Sequence, residues 1–275
     1  MKRIRYEECF LAAVTHAAAW SVVAVMVFLV LFIVARGTPH LSADLFARTY
    51  TSDNVSMFPA IVSTVYITLF TLCIAVPLGI ATAIYLTEYA RKGNRVVALI
   101  RVTTEALAGI PSIVYGLFGM LFFTIALGWS YSLMAGACTL AMMILPLIMR
   151  SSEEALLAVP DSYREGAFSL GAGKLRTVFT VVLPPAMPGI LAGVVLAVGR
   201  IIGETAALVF TAGTIAQIPT TPFQSARTLA VHMYQLSNEA LHMNEGYATA
   251  VVILVVVLAI NGLSGFIARR MGGKA

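Results

Sequence analysis

Six apolar runs dominate the chain, and each is long enough to cross a lipid bilayer. They cover approximately residues 12–35, 59–87, 96–127, 132–149, 186–212 and 247–267. A hydrocarbon core of about 30 Å needs about 20 helical residues. Inside lipid, every backbone N–H and C=O must be satisfied within the protein, which leaves helices or closed barrels. The runs are too long and continuous for barrel strands. The expected fold class is therefore all-α: an integral membrane protein with six transmembrane helices. Composition agrees, since 59% of the residues are hydrophobic and only 11% charged, against about a quarter charged in soluble domains. The third run exceeds the length of a span, so part of it is expected to tilt or to leave the hydrocarbon. The first run follows a basic start, as in a signal peptide. It is too long for one and no small-residue cleavage site ends it, so it reads as a retained span.

Basic residues set the expected orientation. Of the 18 Lys and Arg, Arg36, Arg48 and Arg227 fall on one side, and Arg101 and Arg200 lie within spans. The other thirteen fall on the opposite side, which is expected to be the cytoplasm, with both termini there and segments 36–58 and 213–246 outside. A net charge of +5 does not point to nucleic acid, because the basic residues are separated by long apolar runs rather than gathered on one face. Cys9, Cys73 and Cys138 are scattered, and His16, His40, His232 and His242 have no accompanying ligand spacing, so no metal site is expected. No catalytic motif such as H-E-x-x-H or G-x-S-x-G appears, and the chain does not read as an enzyme.

The longest cytoplasmic stretch, 150–185, reads as a helical hairpin. Pro160-Asp161 looks like a helix start with Asp161 or Ser162 as N-cap, Tyr163 to Leu170 a short helix, and Gly171 its end. A second short helix, Lys174 to Val182, leads back to the membrane at Leu183-Pro184. The string SLGAGKL resembles a phosphate-binding loop but fails its pattern: Phe168 stands where the first Gly belongs, and Leu175 where Ser or Thr would hold magnesium. This chain is thus not expected to bind ATP, and any hydrolysis must occur on another protein.

Glu165-Gly166-Ala167, three residues, Gly171, nine residues, then Val181-x-Leu183-Pro184 resembles the EAA loop of permease subunits in ABC importers, with Gly for the first Ala and Val for Ile. The resemblance implies a MetI-like permease fold whose EAA loop (161–184) carries a cytoplasmic coupling helix. Glu165 would contact the ATPase, while Gly166, Ala167 and Gly171 would permit close approach and the turn. AVPLGIATAIYLTEYA at 75–90, LAGIPSIVYGLFG at 107–119, GRIIGETAAL at 199–208 and LAVHMYQL at 229–236 resemble the PstA-type phosphate permeases over about residues 59–267. Ser56-Met57-Phe58 and Ala230 depart from that pattern, which often has Gly-Gly-Ile and Pro there.

The residues themselves also favour an anion. Arg200 falls near the middle of the fifth run, with Glu204 at i+4 on the same helical face; Arg101 and Glu105 form a similar pair in the third run. An intramembrane charge must be paired or face water, and a guanidinium matches phosphate oxygens bidentately. Arg200, Glu204, Glu105 and Arg101 are the candidate pathway residues. Packing of buried ion pairs is the alternative, and snorkelling for Arg101. Gly189 and Gly193, then Gly199 and Gly203, give two G-x-x-x-G spacings for close helix approach. Pro77, Gly79, Gly109 and Pro111 are candidate kinks. Phe223, Ala226, Leu229, Ala230, Met233 and Leu236 recur at helical spacing, as in a helix on the outer membrane surface.

The expected organisation is an N-terminal tail, first helix and external loop (1–58), an importer core (59–267) and a cytoplasmic tail (268–275). By resemblance, the partners are a second, PstC-type permease, a PstB-type ATPase dimer, an external PstS-type phosphate-binding protein and membrane lipid. No cofactor is expected on this chain, with ATP and Mg2+ on the ATPase. Sulfate, molybdate or another small solute as cargo, and a secondary transporter or channel, are the alternatives.

Overall fold

The computed structural model describes residues 2–91, 93–238 and 242–272, without the side chains of 2–10, 263–265 and 267–272. Lys92 and Lys274, which entered the charge count, lie outside the described residues, as do the side chains of Lys2, Arg3, Arg5, Arg269 and Arg270. Every regular element among the described residues is helical, and none is a strand. Helix α1 is Lys2–Gly37 and α2 is Phe58–Ile84, prolonged by a π turn at Tyr85–Tyr89. Helices α3 (Arg95–Ala108) and α4 (Ser112–Gly119) follow, the latter prolonged by a π turn at Met120–Ala126. Then come α5 (Leu133–Leu157), α6 (Asp161–Ser169), α7 (Lys174–Thr177) and α8 (Leu183–Gly203). The last three are α9 (Ala206–Val209), α10 (Leu229–Asn238) and α11 (Met243–Gly272). The tail expected from 268 continues as α11 to Gly272.

Among the described residues, five helices are long and apolar enough to span, and there are six spans if α3 and α4 count as one. The third run is therefore not one rod: α3 and α4 are bent by 102° at Gly109–Pro111. Pro111 has no N–H to continue the α3 ladder, and it pushes Ile110 away from helical geometry. By contrast, α2 runs on through Pro77. Gly79 serves packing there, because a Cβ would meet Ile148 of α5 at 2.7 Å.

The bundle centres on α5, which packs along α2, α8 and α4, while α1 touches mainly α11. Ile67, Leu140, Ile144, Ile148, Ile201 and Leu208 fill the middle of the core. Small residues permit close approach. A Cβ at Gly189 would meet Ala155 of α5 at 2.7 Å, and one at Gly193 would collide with the Ser151 side chain. The first G-x-x-x-G spacing is thus consumed inside the chain, whereas Gly199 and Gly203 face open space.

Two sequence expectations fail at the far end. The fifth helix stops at Gly203 rather than near 212, and it begins earlier, running from Lys174 through a π turn at Val178–Val182 into α8. The amphipathic segment does not lie on an outer surface. Its helix starts only at Leu229, and Ala226, Leu229, Ala230 and Leu236 are buried against the rest of the protein. Leu45, Val55 and Met57 of the 38–57 loop join Leu229 and Leu236 in a separate apolar cluster.

Candidate functional site

The EAA-like segment forms α6 and its cap. Pro160, not Asp161 or Ser162, is the N-cap; Asp161 already has helical geometry, since Pro160 supplies the extended residue that precedes a helix. The C-terminus closes as a Schellman motif, with Ala172 N–H donating to Ala167 O at 3.0 Å and Gly171 N–H to Phe168 O at 2.9 Å. Gly171 has φ +80°, the left-handed conformation that glycine adopts without a Cβ penalty. Glu165 and Gly166 are exposed, Ala167 is half-buried, and a Cβ on Gly166 would meet nothing within 4 Å. Beside them Leu170 is 89% exposed, and Tyr163, Phe168 and Leu175 are also open. The end of the bundle thus carries a short capped helix with an unpartnered, partly apolar face.

Arg164, one residue before Glu165, points the other way. Its Nη2 lies 2.7 Å from Glu88 Oε1 and 3.0 Å from Leu156 O, and its Nη1 lies 2.8 Å from Val159 O and 3.1 Å from Asp161 Oδ1. The Arg164 and Glu88 side chains are only 15% and 8% exposed. Glu88 sits on the π turn that ends α2, where Lys174 of α7 lies 5.1 Å from the Tyr89 ring centroid. Sequence reading missed Glu88, because a lone acid at the end of a span reads as solvated. The available signal was the i,i+3 Asp161–Arg164 spacing beside a Glu that closes an apolar run.

The other candidates fall in two places. Arg101 and Glu105 of α3 meet α5: Arg101 Nη2 is 2.5 Å from Glu153 Oε1, and Glu105 is 4.0 Å from Arg150, which also pairs with Glu154 at 3.1 Å. With Thr104 these residues line an open cavity of about 230 Å³. Arg101 and Glu105 are thus not each other's partners; each meets α5 instead.

Arg200 occupies the last turn of α8, exposed, with no carboxylate within 4.0 Å among the described residues. The expected Arg200–Glu204 pair does not form, because the helix ends between them. Glu204 is extended, with φ −75° and ψ 128°, and is nearly buried. Its Oε1 accepts from Ala207 N–H at 3.1 Å, satisfying a free donor at the start of α9. The break is packed tightly: a Cβ at Gly116 of α4 would meet Ala207 Cα at 2.8 Å. Nor does Arg200 contact Glu105 among the described residues. What the fold offers is the Arg200 guanidinium, without a carboxylate partner among the described residues, at a helix break, and separately two sets of opposed charges between α3 and α5. No cluster of His, Cys, Asp and Glu able to hold a metal occurs among the described residues.

Comparison with known proteins bears on the family and the fold. The binding-protein-dependent transport system inner membrane component family matches residues 75–273. The probable ABC transporter permease protein YqgI of Bacillus subtilis is 34% identical, covering 91% of this chain and 92% of that protein. The phosphate transport system permease protein PstA of Xylella fastidiosa is 31% identical over 83% of this chain and 81% of its own length. PstA 1 of Mycobacterium tuberculosis is 36% identical over 72% of this chain and 66% of its own length. Among solved structures, the bacterial importer of alginate has a TM-score of 0.70 at 17% identity, covering 98% of each chain. The inward-facing MetNI methionine transporter has a TM-score of 0.60 at 20% identity, covering 78% of this chain and 94% of that one. The helical fold, the spans and the family match together make the chain a multi-pass membrane protein of the binding-protein-dependent transport system inner membrane component family.

Proposed function

We propose that this chain is one permease subunit of an ATP-driven importer and forms, with a second permease, the pathway for inorganic phosphate. The observation that carries this reading is the outward face of α6 in a chain of this family, with relatives named as phosphate permeases. Leu170, Tyr163 and Phe168 are each exposed at a membrane protein's polar end, and apolar side chains left open there ask for a protein partner. That partner is the ATPase, with Glu165 at the rim and Gly166 allowing close approach. ATP, Mg2+ and hydrolysis belong to the ATPase dimer, and an external binding protein delivers the solute to the opposite end. Both termini are cytoplasmic.

In the pathway, Arg200 offers a transient guanidinium contact to phosphate. Its freedom from a carboxylate favours this role, since a neutralised pair holds an anion weakly. Glu204 fixes the helix break that presents Arg200, rather than partnering it. Arg101 and Glu105, with the α5 charges, line the cytoplasmic mouth. ATP binding draws the coupling helices of the two permeases together, and the spans tilt to expose the pathway outward.

Uptake of labelled phosphate by cells carrying the complete transporter tests the reading. Arg200→Gln is expected to abolish uptake while the ATPase still copurifies with the chain. Normal uptake in that variant removes Arg200 from the mechanism. Preferential competition by sulfate or molybdate would reassign the cargo.

A further inference from the structure

The coupling helix needs more than a face for its partner. A push on α6 moves the spans only if α6 is tied to them. We infer that the Arg164–Glu88 pair is that tie, making both positioning residues for energy transfer. The inference rests on the permease reading above.

Three observations converge on it. Arg164 bridges three elements at once: the Glu88 carboxylate at the end of α2, and the Leu156 and Val159 carbonyls where α5 ends. Leu156 O belongs to the last turn of α5 and Val159 O lies just past its cap, at the helix end where a cation is favoured. The contact is sheltered, with Glu88 only 8% exposed at its side chain, so water screens it little. Apolar residues of these elements and of the return arm, among them Leu86, Leu156, Val159 and Val182, form one buried cluster.

Geometry also gives the tie a direction. Glu165 faces solvent while Arg164 faces the bundle, so adjacent residues address the partner and the spans. The acceptor lies on a π turn, where the α2 backbone departs from regular hydrogen bonding and can yield locally. Lys174 over Tyr89 attaches the return arm of the loop to the same turn. Displacement of α6 therefore reaches α2 and α5 together, the two helices that pack most extensively along each other.

The test uses the complete transporter in proteoliposomes, with ATP hydrolysis and phosphate uptake measured together. Arg164→Lys keeps a charge but loses the fork that reaches carboxylate and carbonyls at once. Glu88→Gln keeps the shape but loses the charge. Each is expected to lower solute moved per ATP hydrolysed by about tenfold, with the ATPase still bound. The double variant is expected to be no worse than either single, because both remove one interaction. Unchanged coupling in both singles, or additive losses in the double, overturns the tie and leaves the phosphate reading standing. The same pattern with a different anion keeps the tie and removes phosphate. Should a single variant fail to assemble, the exchange Glu88→Arg with Arg164→Glu decides. Recovery of assembly and coupling supports the pair, and failure of the exchanged chain to assemble reduces it to a folding contact and overturns the proposal.

Discussion

Arg164 and Arg227 stand at opposite ends of one bundle and are held by opposite means. Arg164 meets a sheltered carboxylate and two carbonyls. Arg227 meets no carboxylate within 4.0 Å among the described residues; its Nε donates to Thr214 O at 2.6 Å, and its guanidinium lies 5.2 Å from the Tyr50 ring centroid. Beneath it His232 is wholly buried, edge-on to Tyr50, with Nδ1 at 3.4 Å from Arg227 Nη1 and Nε2 without a hydrogen-bond partner. Val55 faces this group with φ +39°, a strained geometry for a β-branched residue, and its side chain is buried in the same cluster. The first end is fixed by charge and leaves an apolar face open for a partner. The second is fixed by aromatic contact, a neutral imidazole and local strain, and closes upon itself.

The contrast sets an order of expected effects. Arg164→Ala comes first, because it strands the sheltered Glu88 charge. A loss of about 3–5 kcal/mol is expected, read as a fall in thermal midpoint in detergent. A fall no larger than that of a surface variant would break the contrast. Next is Gly193→Val, which forces side-chain atoms into Ser151 between the two ends. It is expected to cost about 1–3 kcal/mol, while Gly199→Ala, facing open space, changes the midpoint little.

The closed end supplies the pH test. Burial, aided by the Arg227 charge, pushes the His232 imidazole down from 6.5 to about 4, with the Val55 backbone acting weakly the other way. The folded state therefore holds His232 neutral while the unfolded chain takes up a proton. Stability is fully present above about pH 6.5 and is lost as the pH falls toward 4, where the loss levels off. Between pH 7 and pH 5 the His232 contribution to this loss is about 2 kcal/mol. His232→Gln should flatten that portion of the midpoint-against-pH curve. An identical slope in the variant assigns the acid sensitivity elsewhere. The smallest effect belongs to Arg150→Gln. Its pairs with Glu105 and Glu154 are exposed, so about 0–1 kcal/mol is expected, shrinking further in salt.

The two ends were not equally legible beforehand. The short capped helix could be read, because Pro160 and Gly171 announce its limits through backbone chemistry that needs no neighbours. The break at 109–111 was likewise signalled by Gly109 and Pro111, though its 102° bend was not. The end of α8 was invisible. The apolar run continues to 212, so hydropathy extended the helix past Gly203 and wrongly set Glu204 beside Arg200 on one face. Hydropathy also took Leu229 and Leu236 for a surface-facing stripe, since it cannot tell lipid from protein interior.

Sequence alone determined the membrane class, the family signature and the position of the exposed loop. These are local properties: each depends on run length or turn chemistry within a few residues. Only the tertiary structure decided which charges are paired, which glycines are filled and that Arg200 is left without Glu204. Arg164 finds Glu88 across 76 residues of chain, and Arg101 finds Glu153 rather than Glu105. Ion pairing and close packing depend on distances of a few ångströms between remote segments, and those distances exist only once α2, α5 and α6 have come together.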